Sequence, residues 1–444
     1  MSCAYGLSLH ERRVLMTGQG HLDPYQRRIL DDILDELLTG LPAIVLQGPK
    51  GVGKTATGER RADDVLSLDD RLARESFQAS NASLEHYEGT LLIDEWQLEP
   101  DSWNSVRRAV DRGAQPGAYL LAGSSAPPDS TIHSGAGRIY PLRMRPLSLA
   151  ERDIATPSVS LKELLRGDRP DLAGRTSVDL AQYVDEILST GLPGIRPLPE
   201  VARRRQIDGY VEWVVHKEFG EQGVVVRRPR TLKEWLAAYA AATGTTTSYN
   251  RVLEAATPAL QEKPARATTT LYRDVLSRAF LLDPLEAWIP TMNHMSRLAS
   301  SPKHFLLDPG IAARILGANK NSLLRGRSSG PQIPRDGTLL GALFEHLVVL
   351  STQTYAQAAD ARVSHLRLHN GRHEVDLIVE RDQTYVAIEV KLTPSVKDED
   401  VRHLHWLKEQ LGDDLVDAIV VTTGPEAYRR QDGIGIVPAA LLGP

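Results

Sequence analysis

Gly48-Pro49-Lys50-Gly51-Val52-Gly53-Lys54-Thr55 satisfies the pattern G-x-x-x-x-G-K-[ST] at every required position. The apolar run Ala43-Ile44-Val45-Leu46 before it is short enough for a buried strand, and Thr55 to about Val65 reads as a helix. Strand, glycine loop and helix in this order are the setting the pattern needs. Glycines let the backbone wrap round phosphates, so that successive N–H groups and the helix N-terminus face negative oxygens. On this reading Gly48 to Thr55, with Ala56 next in the helix, bind ATP. Lys54 reaches the β- and γ-phosphates and the Thr55 hydroxyl is a ligand to Mg²⁺. The plain alternative is a glycine-rich turn in which the lysine and threonine are accidental.

About forty residues on, Thr90-Leu91-Leu92-Ile93-Asp94-Glu95 is an apolar strand ending in two carboxylates, the Walker B arrangement. Asp94 is expected on Mg²⁺, through water or the Thr55 hydroxyl, and Glu95 is expected to orient and activate the attacking water, because phosphoryl transfer is mostly positioning and electrostatics. A further strand, Tyr119-Leu120-Leu121-Ala122, ends at Gly123-Ser124-Ser125, where a polar side chain could touch the γ-phosphate. Arg138, after a flexible segment, reads either as an arginine supplied in cis or to a neighbouring subunit, or as a solvated loop residue.

At 444 residues the chain is too long for one core and implies two to four domains. A formal net charge of -5 argues against a uniformly basic nucleic-acid coat, though not against a local basic face. Cys3 is the only cysteine, so no intrachain disulfide or cysteine-built zinc site forms, in keeping with a reducing cytoplasm. No signal peptide and no run of membrane-spanning length is read, so a cytoplasmic protein is expected.

A leader up to about Gly20 precedes an expected amphipathic helix from Asp23 to Leu38. Val65 to Leu68 reads as a second strand. From Ser148 to Glu221 helix signals dominate, broken at Gly191-Leu192-Pro193-Gly194, and Arg203-Arg204-Arg205 reads as a solvated basic face or a nucleic-acid contact. Helices over Leu232–Thr243, Ser248–Leu253 and Thr268–Ala279, followed by an apolar run, have the order of a winged-helix unit whose recognition helix begins at Thr268 to Thr270. Such a unit serves DNA binding or packing between domains. Gly317 to Gly337 reads as a linker.

Beyond it lies a second constellation. Thr338 to Gln353 reads as a helix carrying Glu345, Val363 to His369 as a strand, and Asn370-Gly371 as a hairpin-type turn. Strands Glu374 to Glu380 and Thr384 to Lys391 follow. Glu389 and Lys391, two apart, share one strand face, and a hairpin brings Asp376 to them. Glu345, Asp376 and Glu389 are thus candidate oxygen ligands for Mg²⁺ or Mn²⁺, with Lys391 steadying a water or a developing phosphate charge. A solvent-facing strand edge is the alternative.

With both constellations present, the sequence resembles bacterial and archaeal AAA-type ATPases that end in a domain similar to the PD-(D/E)XK nuclease class. The resemblance runs from about Tyr25 to Leu442 and is strongest at Leu46 to Thr55, Leu91 to Gln97, Leu121 to Ser125, His133 to Pro146, Pro302 to Gly310 and Gly371 to Leu392. It implies Lys54 and Thr55 as phosphate and magnesium ligands, Asp94 and Glu95 as the Walker B pair, Ser124 as sensor and Arg138 as arginine finger or sensor. In the nuclease-like part it implies Glu345, Asp376, Glu389 and Lys391 as the acid, acid, E-x-K set, with Val375 where a strict motif has proline.

The expected fold class is α/β: a leader (1–22), a P-loop AAA-type ATPase domain (23–165), a helical lid (166–225), a winged-helix-like region (226–317), a linker (318–337) and a restriction-endonuclease-like domain (338–444). The expected function is ATP hydrolysis that regulates the C-terminal module on DNA. The alternative is an ATP-regulated protein-interaction module with a catalytically silent nuclease-like domain. A homo-oligomer and a monomer both stay open.

Overall fold

Apolar residues that alternate between two faces of each strand build the first unit, Met1–Met144. Its strands β1 (Ala43–Gln47), β2 (Asp64–Ser67), β3 (Leu91–Asp94), β4 (Tyr119–Gly123) and β5 (Tyr140–Arg143) form one parallel sheet in the order β2-β3-β4-β1-β5. Ala43, Val45, Leu91, Ile93 and Leu121 enter the core on one face, while Ile44, Leu46, Leu92 and Leu120 enter the core on the other. Burial on both faces is what near-continuous apolar strands of a parallel sheet require. The computed structural model describes residues 25–79, 84, 87–124, 135–226, 228–256, 266–288, 301–326, 337–368 and 372–444. The leader with Cys3, Ser125, His133, Ser134 and the Asn370-Gly371 turn lie outside them.

Helix α1 spans Ile29–Leu38 rather than starting at Asp23, because Arg28 is extended at φ -102° and ψ 151° and its N–H donates to Asp31 Oδ2 at 2.6 Å. Helix α2 is also shorter than expected, Lys54–Glu59, since β2 begins at Asp64. Helix α3 (Arg71–Ala79) precedes β3, and α4 (Asp101–Asp111) precedes β4.

The second unit is Arg145–Pro444. A short strand β6 (Val159–Ser160) precedes helices α5 (Leu180–Ser189) and α6 (Glu200–Trp213), which flank the Gly191 to Gly194 break as expected. Helices α7 (Pro229–Ala241), α8 (Tyr249–Ala256) and α9 (Arg266–Arg278) follow, then antiparallel bridges Leu282 to Leu306 and Leu285 to Lys303. Asp308 caps α10 (Pro309–Ile315), accepting the Gly310 N–H at 2.7 Å. The expected linker is corrected at its start: Lys320–Leu324 form helix α11, capped by Asn319, with Leu323 buried and Lys320 paired with Asp185 at 2.6 Å. Asn319 and Ser322, taken as linker residues, instead supply a capping box.

Helix α12 (Leu339–Ala358) is capped by Thr338 and leads into a seven-stranded sheet. With β7 (Ala287–Trp288), β8 (Arg362–Arg367), β9 (Glu374–Arg381), β10 (Thr384–Val390), β11 (Leu415–Thr422), β12 (Tyr428–Arg429) and β13 (Gly435–Pro438), its order is β12-β13-β11-β10-β9-β8-β7. The strands β8, β9 and β10 are antiparallel neighbours; helix α13 (Asp398–Leu411) then crosses to β11, parallel to β10. A two-stranded pair joins β14 (Leu442–Gly443) to β6. Among the described residues no helix is long and apolar enough to cross a membrane.

Candidate functional site

Because β4 lies between β1 and β3 and all three are parallel, Gln47, Gly123 and Asp94 end at one edge of the sheet. The phosphate loop leaves β1 at that edge. Gly48 is required there: a Cβ on it would stand 2.3 Å from the Met144 carbonyl oxygen. Gly53 sits at φ 105°, a conformation that disfavours a side chain. Arg28, buried, donates to the Val52 carbonyl at 3.1 Å and braces the loop from α1.

Lys54 Nζ donates to the carbonyls of Gly48 at 2.8 Å and Pro49 at 2.9 Å, so the ammonium lies inside the ring of the loop. The Thr55 hydroxyl donates to both carboxylate oxygens of Asp94, at 3.1 and 3.0 Å, joining positions 39 apart in sequence. Burial pushes the Asp94 carboxyl up to about 6, with Thr55 opposing and Glu95 adding to the rise. A threonine hydroxyl and a carboxylate at one point are hard oxygen donors suited to Mg²⁺.

Glu95 is in the left-handed region at φ 51°, just past β3. Gln97 Nε2 donates to Glu95 Oε2 and lies 3.5 Å from Ser124 Oγ, so the glutamine ties the second Walker B acid to the end of β4. Arg138 precedes β5, whose register sets Tyr140 beside Ile44, at the edge of the sheet opposite the loop; there it pairs with Asp111.

In the second unit α12, β9 and β10 bring Glu345, Asp376 and Glu389 round a residue of another segment, Lys303. Its side chain is 1% exposed, and its Nζ lies 2.8 Å from Glu345 Oε1, 3.0 Å from Asp376 Oδ1 and 3.3 Å from Glu374 Oε1. Asp376 Oδ2 accepts the Val390 N–H at 2.9 Å, and Lys391 Nζ donates to Glu389 Oε1 at 2.7 Å. Burial would lower the Lys303 ammonium, but Glu345, Asp376 and Glu374 together hold it well above its ordinary value. Burial raises Glu345 to about 7 against the pull of Lys303, and raises Glu389 to about 8 with Asp376 adding. Burial also works to raise Asp376, but Lys303, Lys391 and the Val390 N–H outweigh it and hold it below its ordinary value. Among the described residues no three His, Cys, Asp or Glu side chains form a group that could hold a metal ion. The cluster lines a cleft of about 1080 Å³ whose other walls include Thr243 to Ser248, Arg251 and Arg367.

Residues 41–152 match the family described as AAA domain. Residues 180–322 and 340–442 match two domains of unknown function, DUF8612 and DUF4143. Uncharacterized proteins of Mycobacterium bovis (Mb2031c) and Mycobacterium tuberculosis (Rv2008c) are each 23% identical over 425 residues, covering 93% of this chain and 84% of theirs. Among solved structures, the Walker-type ATPase PABY2304 of Pyrococcus abyssi aligns with a TM-score of 0.39 at 15% identity, over 66% of this chain and 98% of that one. The ORC2 protein of Aeropyrum pernix, in ADPNP-ADP complexes, aligns at 0.28 and 14%, over 68% and 95%.

Within residues 41–152 the structure brings Lys54, Thr55, Asp94, Glu95 and Ser124 to one edge of the sheet and leaves Arg138 at the other. Three residues escaped the sequence reading. Gln97 stands three places after Asp94 inside a stretch already singled out. Arg28 is masked by its place before an amphipathic helix. Lys303, in Pro302-Lys303-His304-Phe305-Leu306-Leu307, is a lone cation heading an apolar run, a signal that its ammonium is buried and paired.

Proposed function

We propose that the protein binds and hydrolyses ATP at the AAA domain and that its nucleotide state governs the C-terminal module, whose cleft engages DNA. The hydrogen bond from Thr55 to Asp94 carries the first part, since it joins the phosphate loop to the acid strand. The N–H groups of Gly48 to Ala56 and the Lys54 ammonium bind the phosphates, while Ser124 stands on the γ-phosphate side of the pocket. Thr55 and Asp94 would hold Mg²⁺, which when bound neutralises charge on the β- and γ-phosphate oxygens. Glu95 orients the attacking water. Arg138, remote from its own loop, serves a neighbour's nucleotide if the protein assembles.

DNA engagement draws support from the helix, three antiparallel strands, helix, parallel strand order of α12 to β11, which carries the E-x-K residues, and from the winged-helix-like order of α7 to α9. Lys303 favours a second reading, in which the nuclease-like domain is catalytically silent and binds a partner.

Lys54→Ala should abolish ATP binding, and Glu95→Gln should retain binding but slow turnover; equal ATPase rates in both variants and the wild type would sink the assignment. DNA affinity should fall steeply with salt as phosphate contacts release counterions. A salt-independent interaction, or none, would leave the partner-binding reading.

A further inference from the structure

The stretch Pro302 to Gly310 stands out in the sequence, and neither the ATP site nor the E-x-K pattern absorbs it. Its Lys303 is fixed from both sides. The backbone exchanges two hydrogen bonds with Leu285, each 2.9 Å, and the next residue, His304, donates to Thr245 O at 2.9 Å and accepts from Gly244 at 3.0 Å. The side chain therefore enters the acid cluster from a rigid frame.

An ammonium has three donors, and here three carboxylates surround it. Contacts of 2.8, 3.0 and 3.3 Å are hydrogen-bond distances, whereas Mg²⁺ draws its oxygens to about 2.0–2.1 Å. Other oxygens of the cluster are engaged as well: Asp376 Oδ2 by Val390, Glu374 Oε2 by Arg367 at 2.9 Å, and Glu389 Oε1 by Lys391. Glu389 Oε2 meets no partner among the described residues. A divalent ion sharing that oxygen would sit beside the Lys391 ammonium, within a cluster whose acids already have cationic partners.

We propose that Lys303 is the resident cation of this cluster, its ammonium standing where a divalent metal would stand, so that the cleft as folded takes up neither Mg²⁺ nor Mn²⁺. The carboxylates that would hold a metal instead clamp the 303–306 segment to α12 and β9. Metal and segment compete for the same oxygens, and metal-dependent cleavage would require Lys303 to withdraw. The inference does not rest on ATP hydrolysis or on DNA, because ion occupancy is read directly.

Mn²⁺ binding to the full-length protein, measured by electron paramagnetic resonance in an Asp94→Asn background that silences the P-loop, tests it. The background protein should bind no Mn²⁺ in the cleft. Lys303→Met should gain one bound Mn²⁺, lost again in Lys303→Met/Asp376→Asn. Mn²⁺ bound by the background protein and released by Asp376→Asn would overturn the proposal, as would a folded Lys303→Met protein that binds none. If Lys303→Met does not fold, the comparison of the background protein with and without Asp376→Asn still decides.

Discussion

Gln97 is the residue on which turnover at the AAA domain should depend without being a ligand. Its amide meets the Glu95 carboxylate on one side and approaches Ser124 Oγ on the other, so it holds a side chain whose own backbone is in the left-handed region. A hydrogen bond to a charged group contributes about 1.5–3 kcal/mol. Losing part of that in the transition state alone slows the chemical step on the order of ten-fold. Gln97→Ala should therefore lower the single-turnover rate about that much and leave the affinity for ATP unchanged, with Gln97→Glu failing to restore the rate because it sets two carboxylates together. An unchanged rate, or a loss confined to nucleotide binding, would remove Gln97 from the positioning role.

At the level of elements, the path from β1 through the phosphate loop into α2 tolerates two glycines for different reasons. Gly48 abuts the Met144 carbonyl, so the added methyl of Gly48→Ala collides with backbone at 2.3 Å and must displace either the loop or the exit of β5. Gly51 has open space round it but lies at φ 77°, where a side chain costs about 1 kcal/mol. Gly48→Ala should abolish ATP binding, whereas Gly51→Ala should lower the denaturation midpoint slightly and keep measurable binding; calorimetric titration of both, with the same result for each, would refute the distinction. The strands were legible in the sequence because Ala43 to Leu46, Leu91 to Asp94 and Tyr119 to Ala122 are apolar runs bounded by turns and acids. Helix ends were not, since an arginine in extended conformation precedes α1 and a capping box at Asn319 turns apparent linker residues into α11. That Glu389 and Lys391 meet on one strand face was legible from period-two spacing, and the β9–β10 hairpin from the turn signals between them. The place of Lys303 was not, because it arrives from 73 residues before Asp376 and only tertiary packing brings the two together.

For the whole molecule, the acid cluster makes stability a function of pH in the neutral range. Glu345 and Glu389 titrate at about 7 and about 8 in the folded chain, above the ordinary 4.5, because burial disfavours their charged forms. A carboxyl raised on folding contributes stability that is fully present below its unfolded value and is lost as pH rises through its folded value. Asp376 has the opposite sign: held low by Lys303 and Lys391, it contributes stability lost only in acid. Between about pH 5 and 8 the first two therefore dominate: each adds a loss approaching about 1.4 kcal/mol per pH unit between its unfolded and its folded value, and nothing further above the folded value, where both states are ionised. The Arg145–Pro444 unit should unfold at lower denaturant as pH rises across that range. Glu389→Gln, which keeps an acceptor for Lys391 and carries no titrating proton, should be flatter between about pH 5 and 8 by about that slope. Denaturant midpoints of both proteins at pH 5, 6, 7 and 8 decide it: a wild-type midpoint that climbs with pH, or parallel curves across that range, would mean that Glu389 is ionised in its buried setting and that Lys391 rather than a proton neutralises it.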